Sequence, residues 1–312
     1  MHPETLETIK RSASIPSMPM VATRCYEMTQ DPNCDLNKLV ELLGTDPGIA
    51  SDILRLSNSA LFGVTRQVSS LRQAMTLLGI KRIRELVLAR YLVQKMQEMT
   101  TDLVDLNYYW RRSLATALLS AKFADVLSPG QRDEAFLGGL PSDLGVIVMA
   151  RCMPKIYAPI SANYRPHGTE DWMHAEYNLM GVSHGEVSAV VLEQWNLPVS
   201  IVDGVRYHHA SHGDLPANSP GAKLAKVIGA GSVIAKILSE TMDAEVAFMA
   251  CAEGMDRVNL DLSILARALD GIDEQIEEMA RLLDVEIMSS RIFSVISGEL
   301  AQSIDARAVA AV

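Results

Sequence analysis

The sequence predicts an all-α protein, and three observations point that way. Leu, Ala, Met and Ile recur through a chain that is 48% hydrophobic but only 5% aromatic, a mix that favours helix packing over sheet. Apolar residues return at the spacing of one helix face, as at Ile49, Ile53 and Leu56. The residues that start and stop helices are unusually legible. No useful length of period-two alternation occurs before residue 100, so strands are not expected there.

Ile15-Pro16-Ser17-Met18-Pro19 is an extended entry, since each residue before a proline is pushed out of the helical region. Met20 to Thr29 follows as a helix. Asp35 can cap Leu36 to Leu43, with Gly44 as a left-handed stop. Asp46 caps the next start, and Pro47 takes the first helical position, where its missing N–H costs nothing. Ser70 opens a further helix that Gly79 closes. Ile80 to Met96 forms a longer one, with Ile83, Leu86 and Val87 inward.

Met99 to Asn107 is a polar-mixed joint. Tyr108 to Val126 carries two apolar stripes, Trp110-Leu114-Leu118-Ala121 and Ala115-Leu119-Phe123, as the central helix of a domain would. Gln131 to Ala150 is interrupted at Gly138-Gly139 and Pro141, where a fresh turn is expected. Ser161 to Asp171 is a loop. Ser183 and Glu186 form a capping box that starts a helix to Trp195. Asn196 ends it, and Pro198 begins another that carries His208 and His209. Ser211 to Gly221 is a second loop, and the chain is helical again from Ala222.

Composition narrows the function. A net charge of −10 argues against general affinity for nucleic acid or acidic membranes, which needs clustered Lys and Arg. Lys81, Arg82, Arg84 and Arg90 form a basic patch without an aromatic platform, so a solvated helix face is expected. No run of about 18 apolar residues is found, so no span is expected. Cys25, Cys34, Cys152 and Cys251 are scattered and read as reduced thiols. With no basic-then-apolar leader at the start, a cytoplasmic protein is expected. Met18, Met20, Met75 and Met96 are read as core filler.

Six of the seven histidines lie between His167 and His212. Neutral imidazole is a common transition-metal ligand, and His208 and His212 are four apart. Surface or packing histidines would give the same pattern, and there is no H-E-x-x-H.

Several motifs agree in order with one family. They are Ile15 to Pro19, Asp46-Pro47, Leu54-Arg55-Leu56-Ser57-Asn58-Ser59-Ala60 and Ala74 to Gly79. Further on come Trp110 to Ala115, Gly139-Leu140-Pro141-Ser142-Asp143-Leu144-Gly145, Glu176, His184 to Val187, Trp195 to Pro198 and His208-His209. Across residues 15 to about 240 the chain resembles the HDOD domain, a non-catalytic relative of the HD phosphohydrolases. The resemblance implies an N-terminal helical subdomain (1–104) packed on a degenerate HD-like helical subdomain (105–240), with a C-terminal helical extension (241–312). Inward faces of Ile15 to Met96 are expected to pack on the Tyr108 to Val126 helix.

Ligand positions carried over one by one place the first HD histidine at Arg112, the second at Ser142 and the last aspartate at about Gly231. Asp143, His184, His208 and His209 match. A serine is a poor ligand, and a permanent cation at Arg112 repels a metal and can pair with Asp143. The pocket is therefore expected to be vestigial, with no cofactor and no metal. Were a metal held, its ligands would be Asp143, His184, His208 and His209. The resemblance implies a bacterial signalling output or scaffold protein acting through other signalling proteins. It leaves open a homodimer, a small ligand or nucleotide gripped by Arg112, and a residual metal-dependent phosphohydrolase. Asn58 is expected to bond neighbouring backbone.

Overall fold

The computed structural model describes residues 3–11, 15–31, 33–58, 67–161, 172–210, 215–216, 218–240 and 244–288, and no strand occurs among them. The chain separates into two compact units: Pro16–Glu98 with Leu282–Asp284, and Met1–Ile15 with Met99–Arg281 and Val285–Val312. The first helix, α1 (Pro3–Lys10), belongs to the second of these.

The first unit contains α2 (Met20–Gln30), α3 (Leu36–Gly44), α4 (Pro47–Ser57), α5 (Leu71–Leu78) and α6 (Ile80–Glu98). Asp35 accepts from the N–H groups of Asn37 and Lys38, and Ser70 from that of Gln73, as capping requires. Gly79 closes α5 at φ 79°. Gly44 is not the left-handed stop expected: α3 runs through it into a right-handed Thr45. The Thr45 hydroxyl donates to the Leu42 carbonyl at 2.6 Å, and the N–H groups of Thr45 and Asp46 reach the Leu42 and Leu43 carbonyls. The helix end is thereby satisfied without a left-handed residue. Ile49, Ile53, Ile83, Met75 and Met96 are core, but Met20, on the outer side of the first turn of α2, is 66% exposed.

The basic residues of α6 are not all a solvated face. Arg84 donates to the Thr29 carbonyl, and Arg90 pairs with Asp52 at 2.9 Å while donating to the Leu283 carbonyl. Arg55 likewise joins Asp52 to the Leu282 carbonyl.

Asp46 accepts from the N–H groups of Gly48 and Ile49 through one oxygen, and Tyr91 donates to the other at 2.6 Å. Partial burial opposes its charge, but the Tyr91 hydroxyl and the two N–H groups hold its carboxyl below the usual range. The charge therefore contributes stability above the unfolded value of about 3.9, which is lost as the pH falls through the lower folded value. Asp46→Ala should cost about 1–2 kcal/mol at neutral pH. Thermal melts of the pair should converge as the pH drops below that range, and a gap of constant size down to acid pH contradicts the assignment.

The second unit is built on α7 (Leu106–Leu127), whose residues 108–121 are all buried. Around it lie α8 (Arg132–Gly139), α9 (Leu144–Cys152), α10 (Pro154–Ser161), α11 (Trp172–Met180), α12 (His184–Gln194), α13 (Val199–Arg206) and α14 (Ala222–Ser239). The last three helices are α15 (Ala244–Val258), α16 (Leu262–Leu269) and α17 (Ile272–Leu283). Arg111, fully buried, donates to the Leu238 carbonyl at 2.5 Å and pairs with Asp273, joining α7 to α14 and α17. Asn196 takes the expected left-handed stop at φ 56°. One stretch among the described residues, Pro129–Cys152, is apolar and long enough to cross a membrane by mean composition, although Arg132, Asp133, Glu134, Asp143 and Arg151 interrupt it. Its most apolar window is 89% buried within the fold, and the turn at Pro141 divides it between α8 and α9.

Candidate functional site

Asp143 occupies the N-cap of α9, where an aspartate normally accepts from the first-turn N–H groups, yet its side chain makes no cap bond. Ser188 on α12 does that work instead. Its hydroxyl accepts from the Gly145 N–H at 2.7 Å and donates to the Ser142 carbonyl at 2.8 Å. Asp143 is thus free to turn inward, where it is 3% exposed. The approach of α9 to α12 depends on Gly145, because a Cβ there would lie 2.1 Å from the His184 carbonyl oxygen. Ser142 turns away, and its hydroxyl donates to the Gly139 carbonyl.

Arg112, on α7, meets Asp143 from one side. Its Nε donates to Asp143 Oδ2 at 3.0 Å, the pairing that the sequence suggested. The other nitrogens reach Ser232 Oγ at 3.2 Å, Tyr108 Oη at 3.5 Å and Glu240 Oε1 at 3.6 Å, while Tyr108 donates to Glu240. Every one of these groups is buried.

Three histidines meet Asp143 from the other side. His184, the first residue of α12, lies with Nε2 3.6 Å from Asp143 Oδ1, and His208 Nε2 lies 3.5 Å from the same atom. His209 Nε2 is 2.8 Å from His184 Nε2. Each of the first two rings is held from behind. His184 Nδ1 is 2.8 Å from Glu176 Oε2, whose other oxygen accepts from Tyr157, and His208 Nδ1 is 2.6 Å from the Val205 carbonyl. Such backing fixes ring orientation and tautomer. His208 and His209 are not on α13, which ends at Arg206; they lie in the turn after it.

Burial opposes ionisation of Asp143, but the imidazole of His208, the Arg112 guanidinium and the imidazole of His184 overcome it and hold the carboxyl well below its usual range. Burial also opposes charging of His184, and the Glu176 carboxylate outweighs it, so that ring is raised. For His209 burial and the neighbouring His208 and His184 act together, pushing it well below the ordinary histidine value.

Two buried atoms in the cluster, Asp143 Oδ1 and His208 Nε2, have no hydrogen-bond partner. A carbonyl can only accept, so His208 carries its proton on Nδ1 when neutral, and its Nε2 offers a lone pair to a carboxylate oxygen. In that tautomer two acceptors face one another 3.5 Å apart, and either a proton on His208 Nε2 or a metal ion between them would satisfy both. Asp143, His184, His208 and His209 each present one donor atom, all within 4.8 Å of one another. This set fits a single divalent ion. It does not rebuild a two-metal centre, since Arg112 holds the outer oxygen of Asp143.

The remaining expected positions fall elsewhere. Gly231 faces α7, where a Cβ would lie 2.7 Å from Ser120 Oγ and 2.9 Å from the Thr116 carbonyl oxygen. It is Ser232, one step round α14, that enters the pocket. Asn58, in the other unit, pairs both ways with the Val68 backbone and donates to the Leu54 carbonyl, a structural role. Asp46 and Pro47 serve the start of α4. Ser59, His167 and His212 lie outside the described residues. Glu176 stands among the motif positions without an assigned role, whereas Glu240, Tyr108 and Ser232 carry no signal in the sequence.

The chain matches the model of the HDOD domain over residues 15–211. It resembles the crystal structure of an HDOD domain protein of unknown function from Geobacter sulfurreducens, with a TM-score of 0.71, 19% identity, and coverage of 89% of this chain and 98% of that one. It also resembles a protein from Shewanella amazonensis SB2B described provisionally as a phosphohydrolase, with a TM-score of 0.65, 21% identity, and coverage of 88% and 97%. A third structure, from Marinobacter aquaeolei VT8 and described provisionally as a signal transduction protein, has a TM-score of 0.61 and 20% identity. Here 96% of this chain and 65% of the other are covered. An uncharacterised protein of Treponema pallidum (strain Nichols) is 24% identical over 209 residues, which is 64% of this chain and 38% of that protein. At these identities the structures speak to fold alone, whereas the domain match spans residues 15–211, well over half of the chain: the chain belongs to the HDOD family.

Proposed function

We propose that this protein is a regulatory module that acts through other proteins rather than by hydrolysis. One observation carries the reading: the Arg112 guanidinium lies on Asp143 where a catalytic relative would offer a ligand. Ser142, at the second lost position, bonds the Gly139 carbonyl instead. Hydrolysis of a phosphoester at such a pocket needs an ion with an open position and a bound water of lowered pKa. A fixed cation on the bridging carboxylate removes the place for the second ion. The anion-hook alternative loses support because Arg112 is already engaged by Asp143, Ser232 and Glu240. The signalling description of the Marinobacter structure agrees with the reading at the level of fold.

The direct test is crosslinking of the full chain in its own cells, followed by rebinding of each recovered protein in purified form. A partner that rebinds with saturable affinity and is released by excess unlabelled chain is the expected result. If no recovered protein rebinds above an unrelated acidic control of similar size, the reading fails.

A further inference from the structure

We infer that the cluster of Asp143, His184, His208 and His209 is a closed, single-ion site for a zinc-type divalent cation with a structural task. The inference is independent of whether a protein partner is found. A tetrahedral ion with bonds of about 2.0–2.1 Å has ligand atoms about 3.3 Å apart. Asp143 Oδ1 lies 3.6 Å from His184 Nε2 and 3.5 Å from His208 Nε2, and His184 Nε2 lies 2.8 Å from His209 Nε2. All four donor atoms lie within 4.8 Å of one another, so the ligands must draw in around the ion to reach that geometry.

The tautomers suit the task. Glu176 and the Val205 carbonyl hold the Nδ1 atoms of His184 and His208, leaving both Nε2 atoms for an ion. Two of the four donors, Asp143 Oδ1 and His208 Nε2, are buried without a hydrogen-bond partner. An ion answers both. His209 is half-buried, the most exposed of the four.

Three imidazoles and one carboxylate favour zinc, cobalt, nickel or iron(II) over magnesium or calcium, which prefer all-oxygen shells. Four protein ligands leave no position for water, the mark of a structural rather than a catalytic centre. Arg112 on the far oxygen of Asp143 limits the site to one ion. The ion would tie together the start of α9, the start of α12 and the turn after α13.

The test uses the full chain, stripped with a chelator and reloaded. One equivalent of zinc should bind per chain by elemental analysis. At a hundredfold excess over Kd the melting temperature should rise by roughly 5–10 °C. Cobalt(II) should give the intense visible bands of a tetrahedral centre. His209→Ala, a substitution at the half-buried ligand, should weaken binding by at least about tenfold and shift those bands, and Asp143→Asn should do the same. Two ions per chain, no binding after reloading, a six-coordinate cobalt spectrum, or affinity unchanged in both variants would each overturn the assignment. Because stoichiometry and spectrum are read on the parental chain, a variant that fails to fold does not rescue it.

Discussion

Arg112→Ala, measured in chelator, should melt about 10 °C below the parent chain. Arg112 is 7% exposed and neutralises two buried carboxylates, Asp143 at 3.0 Å and Glu240 at 3.6 Å. Removing one partner of a buried ion pair typically costs about 3–5 kcal/mol, because the orphaned charge stays where water cannot reach it. Arg112→Lys should recover part of the loss: it restores the charge but not the fork that spans Asp143 and Ser232. Calorimetry on the three proteins decides the matter. A parental melting temperature for Arg112→Ala means that the pair contributes nothing to the fold.

Gly145→Ala should be nearly as damaging despite adding one methyl group. That methyl would sit 2.1 Å from the His184 carbonyl oxygen and 2.7 Å from its Cα, both backbone atoms that no rotamer change can move. Overpacking of a core usually costs about 1–3 kcal/mol, and a backbone obstacle places this change at the upper end or above. The substitution also pushes apart the helices that carry Asp143 and His184, so affinity for zinc should fall along with the melting temperature. Gly130→Ala, at a glycine with nothing nearby, is the matched control and should melt with the parent.

Much of the fold is legible because its signals are local. Asp35, Asp46 and Ser70 cap the helices they precede, and Ser183 with Glu186 forms the full capping box. The breaks at Gly139 and Pro141 separate α8 from α9 for the reason the sequence offers. What was missed depends on distant partners. Gly44 needs no left-handed turn because Thr45 closes the helix itself. Arg84 and Arg90 look solvated in a sequence, yet carbonyls of other segments claim them. The end of α13 at Arg206 has no glycine or proline to mark it, so His208 and His209 were expected on the helix.

The site divides in the same way. Asp143, His184, His208 and His209 follow from motif positions, and so does the Arg112–Asp143 pair from charge. Gly231 was placed by counting along the chain, and the phase of α14 turns it towards Thr116 and Ser120 instead, which brings Ser232 to the pocket. Glu240 enters from beyond the end of α14, with no local pattern to announce it. The role of Ser188, which frees Asp143 by capping α9 in its place, exists only when two helices are side by side.

The central claim is that this pocket holds its shape without performing phosphoester hydrolysis. The full chain, loaded separately with zinc, manganese and iron(II), should be assayed for phosphate release from a phosphomonoester and for opening of cyclic dinucleotides. The account predicts turnover no higher than that of Asp143→Ala under each condition. Metal-dependent turnover by the parent chain that Asp143→Ala abolishes would contradict it.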